Sequence, residues 1–264
     1  MAIPLLQIDA FTQQPYRGNP AAVCLLTEPL PDTQLQAIAA EMNLSETAFL
    51  LTDQTAWQLR WFTPACEVDL CGHATLAAAQ ALQEWGRAQR GQMLRFHTRS
   101  GLLQAKLSDR GIELDFPLQP PQGLETALDL AAGIGAPVVT SRTSELGYWL
   151  LELASVEQVR TLQPDQAAIT QWPCQAVVVT AAAQAGDDCD FVSRFFAPRF
   201  GIPEDPVTGS AHCLLAPYWQ AKLGRDRLQA RQLSARGGEL EVEVVGDRVF
   251  LRGYAVTVLR GELQ

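Results

Sequence analysis

The sequence has little that would place it in a specialised class. No uninterrupted apolar run approaches the ~20 residues of a membrane-spanning helix, and Met1 to Ala10 carries neither a basic leader nor an apolar signal core. A cytoplasmic location without a membrane partner is expected. Basic residues are scattered rather than gathered into a stripe, and the formal net charge is −9, which argues against a nucleic-acid surface. The six cysteines (Cys24, Cys66, Cys71, Cys174, Cys189, Cys213) lack regular spacing, so a disulfide framework is not expected and buried free thiols are the default. There is no Walker-type loop and no Gly-x-Gly-x-x-Gly, which removes support for a nucleotide cofactor. Cys66, Cys71, His73, His212 and Cys213 invite a zinc reading, but four residues separate Cys66 from Cys71 where zinc sites favour compact pairs. No metal and no cofactor are expected. What remains is an ordinary globular composition, 264 residues with 47% hydrophobic and 19% charged, enough for one large domain or two modest ones.

The chain repeats itself. Arg60 to Pro64 reads R-W-F-T-P and Arg194 to Pro198 reads R-F-F-A-P; Glu67 to Ala74, E-V-D-L-C-G-H-A, is matched by Glu204 to Ala211, E-D-P-V-T-G-S-A, at an offset of 137. The same offset carries Arg99-Ser100-Gly101 onto Arg236-Gly237-Gly238, and Gly111 to Leu114 onto Arg248 to Leu251. Each half then has one order of elements. A strand leads through a Pro-containing loop into an Ala-rich helix, roughly 73–85 and 210–223, with Gly86 or Gly224 to end it in the left-handed conformation. Pro217 falls inside the second helix and should kink it. Hairpins follow, 102–107 with 112–116 and 240–245 with 248–251. Leu76 to Leu82 is apolar nearly all round, so its helix must be covered on most sides, as a strongly curved sheet would do. Pro117 to Pro121 reads as the linker between domains of about 1–117 and 122–264, with the last strand free to return to the first half.

The two helix starts, Cys71-Gly72-His73 and Thr208-Gly209-Ser210, present backbone N–H groups without partners and the positive end of a helix dipole. A cleft between the halves with a small carboxylate substrate is the economical guess. Either turn alone is equally well a tight glycine turn with Ser210 as a helix cap. Glu46 follows an amphipathic helix from Asp32 to Met42 with Leu35, Ile38, Ala39 and Met42 on one face. On strand parity it shares a face with Leu44, Ala48 and Leu50, where desolvation would tune it for acid–base work; the plainer alternative is a solvated strand end. The matching stretch, Gln175 to Val179, has no acid, so function should be asymmetric. His73 and His212 fall in the first turns of the paired helices, where a neutral imidazole is favoured, although lone histidines are commonly structural. Asp205 would ordinarily be a turn residue, but lies close to the second helix start.

Taken together, I-D-A-F-T (Ile8 to Thr12), R-G-N-P-A-A-V (Arg17 to Val23), N-L-S-E-T-A-F (Asn43 to Phe49), L-C-G-H-A-T (Leu70 to Thr75) and E-D-P-V-T-G-S-A-H (Glu204 to His212) make the chain resemble the PhzF family over nearly its whole length. The resemblance implies an α+β, diaminopimelate-epimerase-like fold. It has two pseudo-symmetric domains, each a curved sheet or barrel around a central helix, with the active site between them. It implies Glu46 as acid/base, with His73, Asp205 and Ser210 as the other catalytic residues. Gly72, Thr208 and Gly209 would hold the substrate, Asn19 and Cys71 completing that set, and homodimers are common in the family. The family's best-known member isomerises trans-2,3-dihydro-3-hydroxyanthranilate by shifting a proton. Racemases of the wider superfamily use a cysteine at each helix start; here the pair is Cys71 and Thr208, and a hydroxyl is a poor second base, so two-thiol racemisation is not expected. That leaves Cys71 open to a reading as small buried packing. The expected reaction is a cofactor-independent proton shift on a small carboxylate. The rivals are an epimerase or racemase of an amino or hydroxy acid and a non-catalytic small-acid-binding protein.

Overall fold

The computed structural model describes residues 2–53, 56–184 and 186–264. The chain forms two compact units, Met1–Phe116 with Phe250–Gln264, and Pro117–Val249. In chain order the first contains β1 (Ile3–Ala10), β2 (Asn19–Leu26), α1 (Asp32–Met42), β3 (Glu46–Asp53), β4 (Ala56–Phe62), β5 (Glu67–Val68), α2 (Gly72–Glu84), β6 (Met93–Thr98), β7 (Gly101–Ser108) and β8 (Gly111–Pro117). The second contains β9 (Gln122–Gly123), α3 (Leu130–Ile134), β10 (Thr140–Thr143), β11 (Tyr148–Glu152), α4 (Val156–Thr161), α5 (Gln166–Gln171), β12 (Ala176–Ala182), β13 (Phe191–Ala197), β14 (Ile202–Asp205), α6 (Gly209–Leu223), β15 (Arg227–Gln232), β16 (Gly238–Val245) and the start of β17 (Arg248–Gly253). The chain then returns to the first unit, where β18 (Ala255–Leu263) lies antiparallel to β1 along its whole length.

The pairing pattern repeats. In the first unit β1 and β2 are antiparallel, β2 and β3 parallel across α1, β3 and β4 antiparallel, and β4 and β6 parallel across α2. In the second, β10 and β11 are antiparallel, β11 and β12 parallel across α4 and α5, β12 and β13 antiparallel, and β13 and β15 parallel across α6. The sequence repeat falls on a shared device. Arg60 donates through Nε and Nη2 to both oxygens of Glu67 at 2.7 Å, and Arg194 does the same to Glu204 at 2.7 and 2.9 Å. Each guanidinium also lies over a phenylalanine two residues on, Phe62 at 5.1 Å and Phe196 at 5.0 Å. The two arginines differ in their third contact. Arg60 reaches Asp32 in the first turn of α1, whereas buried Arg194 donates to the Val159 and Leu162 carbonyls that end α4.

Both central helices are covered on most sides. Nine of the thirteen residues of α2 are buried, against β1, β2, β3, β7 and β18, as expected for an all-round apolar run. The outer face of the same sheet carries α1, whose Leu35 and Ala39 pack on Leu5, Ala22, Cys24, Phe49 and Phe62. Alternation along β3 therefore sends Phe49 towards α1 and Glu46, Ala48 and Leu50 towards α2.

Several local expectations need correction. The strand begins at Glu46, not Leu44, because Asn43 adopts a left-handed conformation (φ 49°) that ends α1 and turns the chain. The cap of α6 is Thr208, and Ser210 is the second helical residue. Pro217 does not interrupt α6, which runs from Gly209 to Leu223. Its missing N–H would leave the Cys213 carbonyl without a partner, but the Gln119 backbone N–H of the Pro-rich linker donates to that oxygen at 3.1 Å. At the end of α2, Gly86 is left-handed (φ 68°), with its N–H on Gln83 and the Arg87 N–H on Leu82, a Schellman closure.

Candidate functional site

In the first unit, three side chains meet where β3 begins and α2 begins. Glu46 opens β3 in register with Ala21 of β2, two residues beyond Asn19, which opens β2 and is fully buried. Cys71 caps α2 in an extended conformation without using its side chain, and its carbonyl receives both the N–H and the hydroxyl of Thr75. Gly72 is the first helical residue and His73 the second. The His73 Nε2 lies 3.0 Å from Glu46 Oε2, an ion-pair contact rather than a well-directed hydrogen bond. The Cys71 Sγ lies 3.5 Å from His73 Nδ1 and 4.0 Å from Nε2.

Electrostatics here differ from the neutral imidazole expected at a helix start. Burial opposes a charge on His73, but the neighbouring sulfur and the Glu46 carboxylate together hold its pKa well above the ordinary histidine value. Burial, aided by the Glu46 charge, pushes the Cys71 thiol up to about 11. Cys71 is buried, and its sulfur contacts the imidazole directly.

The second unit presents a different set at the start of α6. Thr208 donates its hydroxyl to Asp205 Oδ2, and its N–H goes to Gln232 Oε1 at 3.0 Å. Gln232, fully buried at the end of β15, also donates to the Asp205 carbonyl at 2.8 Å, tying this turn to the sheet. The Ser210 Oγ lies 3.2 Å from the Tyr148 hydroxyl at the start of β11. Burial raises the Tyr148 pKa, so this phenol stays protonated across the neutral range. Gly209 is buried at the first helical position. Sequence reading missed Tyr148 and Gln232, which lie 62 and 24 residues from the partners they hold, Ser210 and Thr208. Only their place at strand ends was available as a signal.

His212 does not join this set. It is fully buried, its Nδ1 lies 2.8 Å from the Thr208 carbonyl, and its ring lies against Phe191 with centroids 6.1 Å apart. Burial lowers its pKa to about 4. An unfolded histidine takes up a proton near pH 6.5, the folded one only near 4, so the neutral form stabilises the fold above 6.5 and this contribution is lost as pH falls through that window. The loss is on the order of 3 kcal/mol. His212→Asn keeps an N–H donor but cannot titrate; its urea-denaturation stability between pH 7 and 4.5 is expected to fall less steeply than that of the unaltered protein. Parallel profiles would contradict the assignment.

The duplicated sheet-and-helix fold carries a carboxylate and an imidazole paired at one helix start, an arrangement suited to acid–base chemistry. A family model described as "Phenazine biosynthesis-like protein" matches residues 8–261, and the chain belongs to that family, PhzF. It is 46% identical over 264 residues to a protein of Halalkalibacterium halodurans named as an uncharacterized isomerase, covering 100% of this chain and 99% of that one. A crystal structure of a PhzF-family phenazine biosynthesis protein from Enterococcus faecalis superimposes with a TM-score of 0.95 at 39% identity, covering all of both chains. A hydroxyproline epimerase from Agrobacterium vitis shares the fold, with a TM-score of 0.66 at 12% identity over 99% of this chain and 92% of that one. Among the described residues, no helix is long and apolar enough to cross a membrane.

Proposed function

We propose that the protein is an isomerase that moves a proton between carbons of a small, unsaturated, carboxylate-bearing substrate, with Glu46 as the base that removes the proton and the acid that returns it. The observation that carries this reading is the Glu46 Oε2 to His73 Nε2 contact of 3.0 Å on an otherwise apolar strand face. A carboxylate held there is largely removed from water and is oriented by one partner, as general acid–base catalysis requires. The C–H electron pair stays in the conjugated system of the substrate while the proton rests on Glu46. The proton then rejoins a different carbon, so no electrons enter or leave. His73, beside the carboxylate, orients it and offers a donor to developing negative charge.

Asp205 and Ser210 are assigned to orienting polar groups of the substrate, and Gly72, Thr208 and Gly209 to presenting backbone N–H groups at helix starts to its carboxylate. Thr208 spends its hydroxyl on Asp205. That engagement, added to the high pKa of an alcohol, leaves it unsuited to act as a second base.

The test is a screen of small cyclic and amino acids in heavy water, read by NMR for deuterium uptake that depends on Glu46. Uptake at a new carbon supports the proton shift. Uptake with inversion at the original carbon replaces it with epimerisation, and binding without any uptake replaces it with a non-catalytic acid-binding role.

A further inference from the structure

We propose that Glu46, Cys71 and His73 form a binding site for a thiophilic divalent cation, zinc above all, built from the same side chains that the proton-transfer reading uses. Among the described residues they are the one group of three or more His, Cys, Asp or Glu side chains whose ligand atoms all lie within 4.8 Å of one another. The set is one sulfur, one imidazole nitrogen and one carboxylate oxygen, the three ligand types zinc takes, and three protein ligands leave a fourth position open. From zinc's usual bond lengths, a tetrahedral site needs ligand atoms roughly 3.3–3.7 Å apart. His73 Nε2 lies 3.0 Å from Glu46 Oε2, whereas Cys71 Sγ lies 3.5 Å from Nδ1 and 4.0 Å from Nε2, so the sulfur must swing about its Cα–Cβ bond to the Nε2 side for all three donors to reach one ion.

Two further features favour a cation here. Glu46 Oε2 is buried and accepts no well-directed hydrogen bond, so a lone pair is available towards the cluster. The backbone is also already placed, because Cys71 and His73 are held by the first turn of α2 and Glu46 by the β2–β3 ladder. Charge balances as well. A dication with one thiolate, one carboxylate and a neutral imidazole is neutral overall, which avoids an uncompensated buried charge. Binding releases the thiol proton and the imidazole proton to solvent.

If Glu46 carries the proton in turnover, an occupied site silences the enzyme, and this consequence alone rests on the proposed function. Binding itself needs no substrate to observe. Cobalt(II) titrated into the full-length protein, freed of any affinity tag, is expected to give one equivalent of tetrahedral d–d absorption with a sulfur-to-cobalt charge-transfer band, and zinc should displace it. Cys71→Ser should abolish the charge-transfer band and weaken zinc binding about 100-fold or more, whereas Cys66→Ser, at an exposed cysteine of the same unit, should leave both unchanged. As a check that needs no variant, stoichiometric zinc should protect Cys71 from alkylation, read by peptide mass spectrometry.

A band that survives Cys71→Ser, a six-coordinate spectrum, or no protection of Cys71 would overturn the site. Those results leave the proton-transfer reading standing. A zinc-displaceable band together with deuterium exchange indifferent to Glu46→Gln would instead remove that reading and keep the site.

Discussion

In Glu46→Gln protein, deuterium uptake into a substrate found by the heavy-water screen should fall by about 10²–10⁴-fold, the usual contribution of a positioned acid–base group. The substitution keeps the length and branching of the side chain at the start of β3, so packing against α2 is retained. The carboxamide has no basic oxygen to take a carbon-bound proton, and it removes one of the two neighbours, Cys71 and Glu46, that raise the His73 pKa. Both changes act on the chemical step, so kcat should carry the loss and KM should move little. Circular dichroism and thermal melting would establish that the variant is folded. Retention of more than roughly a tenth of the rate would be irreconcilable with an acid–base role of this size.

The second large effect is on stability. Arg194→Ala removes a buried guanidinium that holds Glu204 in a two-pronged ion pair and closes the last carbonyls of α4. It leaves a carboxylate and two carbonyl oxygens without their donor, and breaking such a pair typically costs about 3–5 kcal/mol. Arg60→Ala makes an informative contrast, because Arg60 is more exposed and its partner Glu67 still has Arg99 at 2.9 Å. A loss nearer ~1 kcal/mol is expected there, as for partly solvated ion pairs. Urea denaturation of both variants would decide the matter; equal losses would mean that burial and α4 closure contribute nothing at Arg194.

That contrast also shows which features were legible in the sequence. The repeated R-x-F and the acid that follows it were visible as letters, and they correspond to a shared guanidinium device because side chains so close in sequence meet through local strand geometry. The limits of α1, the all-round burial of α2, the strands of the two hairpins and the face that Glu46 shares with Ala48 and Leu50 were likewise readable from periodicity. Tyr148 was not, because nothing local marks a strand residue as the neighbour of a serine on α6. The upward shift of the His73 pKa was not foreseen because helix-end electrostatics were considered without the Cys71 sulfur and without the carboxylate, which lies 27 residues away in sequence. Pro217 was misread for a similar reason: the donor that relieves its helix comes from the linker, 98 residues earlier.

The last strand has a consequence for how the protein is made. Glu46, Cys71 and His73 belong to the first unit, yet that unit's sheet includes residues synthesised only after the second unit, since β18 covers β1 from Ile3 to Ala10. During translation β1 must wait with one edge open while the whole second unit is synthesised, and an exposed edge is a template for unwanted pairing. Damage to Phe250–Gln264, such as a premature stop codon, should therefore impair the first unit and spare the second.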